Sequence, residues 1–247
     1  MSIKNHHKDD LLEIFEQIEK RPSANRRYAS YDFCYGYFQT HRYHLTENME
    51  LSCLHLWAYL ASWGMLRGSS QLLKECSMKI LSVVVNYIDK LPEELWTLDV
   101  SKYKSIRARK RIIKVFNELK EKLQSIKFEE NNKSISATTT LITKIMIGTL
   151  GCIPAFDQNF VLAFKSEFDE CSFTTVDDTA LKCIYSFYKD NVSVLQFHKH
   201  FVIGFNGKPQ MGIRYKSAKL IDMYGYHKGI KIAKQNNEIN KQKSKKQ

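Results

Sequence analysis

The sequence predicts an all-α protein, a helical bundle in two lobes. Apolar residues recur at helical spacing in segment after segment. Gly and Pro are scarce, ten and four in 247 residues, too few for the turns of an all-β fold. Apolar residues make up 43% of the chain, including thirteen Tyr and fourteen Phe, enough for a packed core at this length.

The elements follow in order. Asp9 to Glu19 carries Leu11, Leu12, Ile14, Phe15 and Ile18 on one helical stripe, and Arg21-Pro22-Ser23 ends it. An aromatic run, Tyr28 to Phe38, comes next. Glu47 to Met65 reads as a strongly apolar helix. Ser69 to Lys90 reads as another, capped by Ser69 or Ser70 and closed before Pro92. Tyr103 to Phe128 is the longest amphipathic segment, and Asn131-Asn132-Lys133 interrupts the pattern after it. Ile135 to Leu150 is expected to be helical although Thr138-Thr139-Thr140 is a poor helix former. Helices are expected over Asp157 to Glu167, Asp177 to Phe201 and Lys216 to Ile232. A short hairpin is expected near 202–214, where the glycines lie. The lobes should divide near 131–134, leaving a cleft suited to a ligand. Residues 1–230 form the folded body, and 231–247 should be a disordered basic tail.

The net charge is +12, of which the tail supplies +5 and the body +7. A basic body points to a polyanion partner, nucleic acid first and an anionic membrane second, and double-stranded DNA is the partner expected. Six cysteines form no C-x-x-C pair and sit mostly on apolar faces, as reduced core residues of a cytoplasmic protein do. The N-terminal MSIKNHHKDDLLEIF lacks the apolar core of a signal peptide, and no apolar run is long enough to span a membrane. His41-x-x-His44 and His198-x-His200 lack partners for a zinc shell. Neither metal nor cofactor is expected, and the chain should act as a monomer.

Chemistry concentrates in TTTLITKIMIGTLGCIPAFDQNF, Thr138 to Phe160. Lys144 stands on an apolar background. Such a lysine either snorkels its ammonium to the surface or, with a pKa lowered by burial or neighbouring positive charge, attacks a carbon electrophile. Asp157 follows Pro154 at the start of a helix. There it either caps the backbone or stabilises a cationic transition state, and the two roles are compatible.

Ile153-Pro154-Ala155-Phe156-Asp157 resembles the turn that precedes the catalytic acid of helix-hairpin-helix DNA glycosylases, with one residue inserted. Thr143-Lys144 resembles the nucleophilic lysine position of the bifunctional members. The segment is most similar to the divergent, 8-oxoguanine-DNA-glycosylase-like bacterial branch. SATTTLIT, Ser136 to Thr143, stands where that superfamily has a glycine-rich hairpin, so the resemblance implies a degenerate one. It further implies excision of a damaged or modified base, with or without Schiff-base lyase activity, in base-excision repair or in defence against modified phage DNA. Asp157 and Lys144 would be catalytic, and Trp63, Phe156 and Phe160 would be candidates for stacking on the flipped base. YLASWGMLRGSS (59–70) and AKLIDMYGYHKG (218–229) resemble a second group, bacterial proteins of undefined activity.

Arg67, Ser69 and Ser70 could hold a phosphate, or simply join two helices. Lys102, Lys104, Arg107, Arg109, Lys110 and Arg111 form a basic run that could contact DNA, or be a solvated helix face. The rival readings drop the chemistry. One is a non-catalytic helical nucleic-acid-binding protein, the other a helical protein whose basic surface meets an acidic partner.

Overall fold

The computed structural model describes residues 4–19, 24–67, 71–129, 131–197 and 200–244. The chain is mostly helical, with a single two-stranded sheet among the described residues. The helices are α1 (Lys4–Glu19), α2 (Ala29–Thr40), α3 (Met49–Ser62), α4 (Leu72–Glu75), α5 (Ser82–Asp89), α6 (Glu93–Trp96), α7 (Ile106–Gln124), α8 (Thr139–Thr149), α9 (Gln158–Lys165), α10 (Asp178–Asp190), α11 (Val192–Phe197) and α12 (Ser217–Ser244). The expected hairpin is present: β1 (Phe201–Ile203) pairs antiparallel with β2 (Pro209–Arg214) and packs on α2. Among the described residues no helix is long and apolar enough to cross a membrane.

α8 is the axis of the core. Every residue from Leu141 to Thr149 is buried, and α2, α3 and α7 pack around it. The threonines that disfavour a helix are used locally. Thr138 caps the start by accepting from the Leu141 N–H, and Thr143 Oγ donates back to the Thr139 carbonyl. Gly151 ends the helix in the left-handed region (φ 62°), donating its N–H to Met146 O at 3.0 Å. A Cβ there would also lie 2.7 Å from the Tyr35 ring. One buried apolar cluster extends from Leu11 to Tyr224 and crosses the 131–134 connection where a division between lobes was expected.

Three expectations about elements need correction. The helix foreseen over Ser69 to Lys90 is broken. Extended backbone at Cys76 and Ser77 separates α4 from a 3-10 turn at Met78–Leu81, which leads into α5. Ser77 caps that turn by accepting from the Lys79 N–H, a local bond that competes with helix continuation. The helix foreseen over Asp177 to Phe201 stops at Asp190, where Asn191 closes α10 by donating its side-chain amide to Phe187 O, and α11 begins afresh at Val192. The tail foreseen as disordered from 231 continues α12 to Ser244. Lysine, glutamine and glutamate make a segment poor in apolar contacts but good at forming helix, and no Gly or Pro interrupts 231–244. α12 is anchored on α1, where Lys228 pairs with Asp10 and Lys231 Nζ lies 2.8 Å from Glu13.

A candidate active site at a double Lys–Asp cluster

Lys144 Nζ lies 2.8 Å from Asp157 Oδ2. The two residues sequence reasoning singled out are therefore brought together. α8 supplies the lysine, and the loop 150–157 carries the acid back to it. That loop is held at several points. Thr143 Oγ accepts from the Phe156 N–H at 2.9 Å, Thr140 Oγ donates to Phe156 O at 2.8 Å, and Tyr103 OH donates to Cys152 O. Asp157 is also the N-cap of α9, its Oδ1 accepting from the Phe160 N–H at 3.0 Å. Cap and ion-pair partner are one residue, with a different oxygen for each role.

A second pair stands behind the first. Lys219 Nζ lies 2.8 Å from Asp222 Oδ2, one α-helical turn apart on α12. Asp222 Oδ1 accepts from the Ala155 N–H at 3.0 Å, which ties α12 to the loop that positions Asp157. Lys144, Lys219 and Asp222 are all buried. Asp157 is partly buried, and the four charges of alternating sign form a set in which each buried ion alone would cost several kcal/mol to desolvate.

Burial alone would lower the Lys144 ammonium, but the Asp222 and Asp157 carboxylates outweigh it and hold the group above the ordinary lysine value. The amine of lowered pKa that the sequence suggested is thus not what the free protein holds. The residue neither snorkels nor sits unprotonated. Burial would raise Asp222, and the two ammoniums reverse that and keep it ionised.

Aromatic rings roof the cluster. Lys144 Nζ sits 4.5 Å from the Trp63 ring centroid, and Lys219 Nζ 4.3 Å from that of Tyr31. Trp63 meets Tyr28 and Tyr226 at 5.8 and 5.7 Å between ring centroids. Arg27 lies over Trp63 at 4.9 Å and donates to Tyr226 OH at 3.0 Å. Trp63 Nε1, Tyr31 OH and Ser30 Oγ are buried with no hydrogen-bond partner. Orphaned polar atoms are uncommon in a folded interior, and three of them gather on α2 and at the end of α3, where the rings meet.

The other nominated residues separate. Phe156 and Phe160 are buried and stack on each other at 5.4 Å, with Phe173 edge-on, so both are core and neither reaches a base. Of the three stacking candidates only Trp63 belongs to the cluster. In the basic run Lys102, Lys104, Arg107 and Lys110 are exposed. Arg109 is buried, donating to Asp178 Oδ1 at 2.6 Å and to the Tyr103 carbonyl, so it joins α7 to α10 and is unavailable to DNA. Arg111 is partly covered, 3.6 Å from Glu94. Arg67 is exposed, and Ser69 and Ser70 lie outside the described residues, as does His198.

Sequence reasoning missed Lys219, Asp222, Arg27 and Tyr226 as site residues. A signal existed for three of them. AKLIDMYGYHKG stands out as a string, and the fold brings its Lys219 and Tyr226 against Trp63 of the other string, YLASWGMLRGSS, with its Asp222 paired to Lys219. No family model, curated protein or solved structure matches this chain.

Proposed function

We propose that this chain is a DNA glycosylase, releasing a damaged or modified base from duplex DNA at the Lys144–Asp157 pair. The observation that carries the reading is the pair itself: an amine and a carboxylate 2.8 Å apart, held by a braced loop under an aromatic roof in a basic protein. Asp157 faces the deoxyribose, where its negative charge stabilises the positive charge that develops as the base departs. With Lys144 held as ammonium, water is the nucleophile. Water gives a proton to Asp157 as its oxygen bonds to the anomeric carbon, and the bond from that carbon to the base nitrogen breaks with its electron pair leaving on the base. The proton on Asp157 then passes through solvent to the base, which restores the carboxylate. A Schiff-base route needs one prior step, transfer of the Lys144 proton to Asp157 Oδ2. The free amine then bonds to the same carbon as the base leaves with the electron pair of its C–N bond and takes the proton from Asp157. The ring C–O bond breaks next, its oxygen takes a proton from the lysine nitrogen, and the nitrogen lone pair closes the protonated imine.

Lys144 is only 3% exposed, and both Asp157 oxygens are already engaged. Those facts favour a second reading, a nucleic-acid-binding protein in which the pair is purely structural. Base release and borohydride trapping on an abasic-site duplex separate the two. Asp157→Asn keeps a capping oxygen and removes the charge, so it should abolish base release while leaving DNA binding intact. Lys144→Gln should remove any covalent product. A lower melting temperature with unchanged turnover in Asp157→Asn would reduce the residue to a cap and end the glycosylase reading.

A further inference from the structure

A cleft of about 810 Å³ opens between α2, α3 and the hairpin. It lies beside the Lys–Asp cluster, not within it. Arg27 and Tyr59 line it, while Lys144, Asp157, Lys219 and Asp222 do not. Tyr59 is the shared wall: it is buried between cleft and core, and a Cβ on Gly148 of α8 would strike its ring.

Two features of the lining say what it fits. Among the described residues no Asp or Glu lines it, while Arg26 and Arg27 do. A wall that carries cations and no acids suits an anionic ligand. On the same lining Phe205 is 90% exposed and Met211 86% exposed. Phe205 is fixed there rather than loose. The turn that carries it is closed by Gly204 N–H to Lys208 O at 2.8 Å, Gly207 N–H to Gly204 O at 2.9 Å and Lys208 N–H to Asn206 Oδ1 at 2.9 Å. Its ring leans on Phe33 of α2 at 5.5 Å. A tight turn that holds an aromatic ring in water, in a cleft also lined by two arginines, combines a stacking surface with phosphate contacts.

We propose that this cleft receives a nucleotide unstacked from a DNA strand, with its base on Phe205 and its phosphates at Arg26 and Arg27. The proposal rests on the nucleic-acid part of the function above and not on its chemistry. It shifts the DNA-contacting face from the α7 basic run to the α2–α3–hairpin edge. The volume lies within the range of about 300–1,000 Å³ typical of small-molecule sites, large enough for a base with its sugar.

The test uses the full chain with fluorescein-labelled oligonucleotides: a single strand, a duplex with one mismatch, and the fully paired duplex. Wild type should bind the first two more tightly than the third, because their bases unstack at lower cost. Phe205→Ala should weaken binding to the first two about tenfold and leave paired-duplex binding near wild type, while Phe205→Trp should restore it. Arg26→Ala should lower the salt slope by about one unit for every ligand. Phe205 is so exposed that its replacement leaves the fold intact, which a thermal melt checks. Unchanged single-strand and mismatch binding in Phe205→Ala would overturn the cleft. If Asp157-dependent base release persisted in that case, the glycosylase reading would survive alone. If Phe205→Ala lost binding while wild type released no base, the cleft would stand and the chemistry would fall.

Discussion

Asp222 bears more of the candidate site than any residue nominated from sequence. Its two oxygens hold the Ala155 N–H and the Lys219 ammonium, and its charge joins that of Asp157 in holding Lys144 protonated. Asp222→Asn leaves two buried ammoniums facing one carboxylate. It should cost about 3–5 kcal/mol, the range for breaking a buried pair from one side, as read by urea denaturation. Asp157→Asn keeps its cap and lies nearer solvent, so it should cost distinctly less. Equal costs would mean that the pairs are independent rather than one set. Lys144 and Asp157 were legible because thirteen residues and one braced loop join them. Asp222 was not, because it comes from a helix sixty-seven residues beyond Ala155 and no local pattern carries that distance. Arg109 shows the converse. In the sequence it is indistinguishable from Arg107 and Lys110, yet the α7 stripe turns it inward onto Asp178.

The elements that place these residues meet through glycine. α12 crosses α9 with Gly225 and Gly229 at the contact, four residues apart on one face. A Cβ on Gly225 would come 2.5 Å from the Phe160 ring, a side chain that can yield only by shifting against Phe156 and Phe164. A Cβ on Gly229 would strike the Asn159 carbonyl, which is backbone in the first turn of α9. Gly229→Ala should therefore push α12 away from the turn that Asp157 caps, while Gly225→Ala is absorbed by ring movement. The expected loss is about 2–3 kcal/mol for the first, as in overpacking, and less for the second. Thermal melts of both variants check the order, and a reversed order would place the tight contact at the ring. Helix identity was legible here from periodicity, but helix ends were not. α4, the 3-10 turn and α5 share one apolar pattern, and only the Ser77 bond at 3.4 Å and the extended Cys76 divide it. The end of α12 was misjudged for a related reason, since few apolar residues describe a disordered tail and an exposed helix equally well.

At the scale of the whole molecule, the junction of α2, the hairpin and α12 is sensitive to pH through Asp32. This carboxyl is 3% exposed and accepts from Tyr215 OH at 2.6 Å. Burial raises it, the Tyr215 bond and the Lys219 charge oppose that, and the result is a pKa of about 6 against an ordinary 3.8. Between those two values the folded protein binds more protons here than the unfolded chain. The Asp32 contribution is thus fully present below about 3.8 and is lost as pH rises through about 6. Asn at this position imitates the protonated carboxyl and keeps an acceptor for Tyr215. Asp32→Asn should therefore match wild type near pH 4 and exceed it above pH 7, by on the order of 3 kcal/mol at most. Glu167, pushed up to about 7 by burial, adds its own decline to both proteins and cancels in the difference. The measurement is unfolding free energy against pH for the two proteins. A difference curve flat from pH 4 to 8 would mean that Asp32 stays ionised in the fold. The hairpin would then be held to α2 by a charge-assisted Tyr215 bond at every pH.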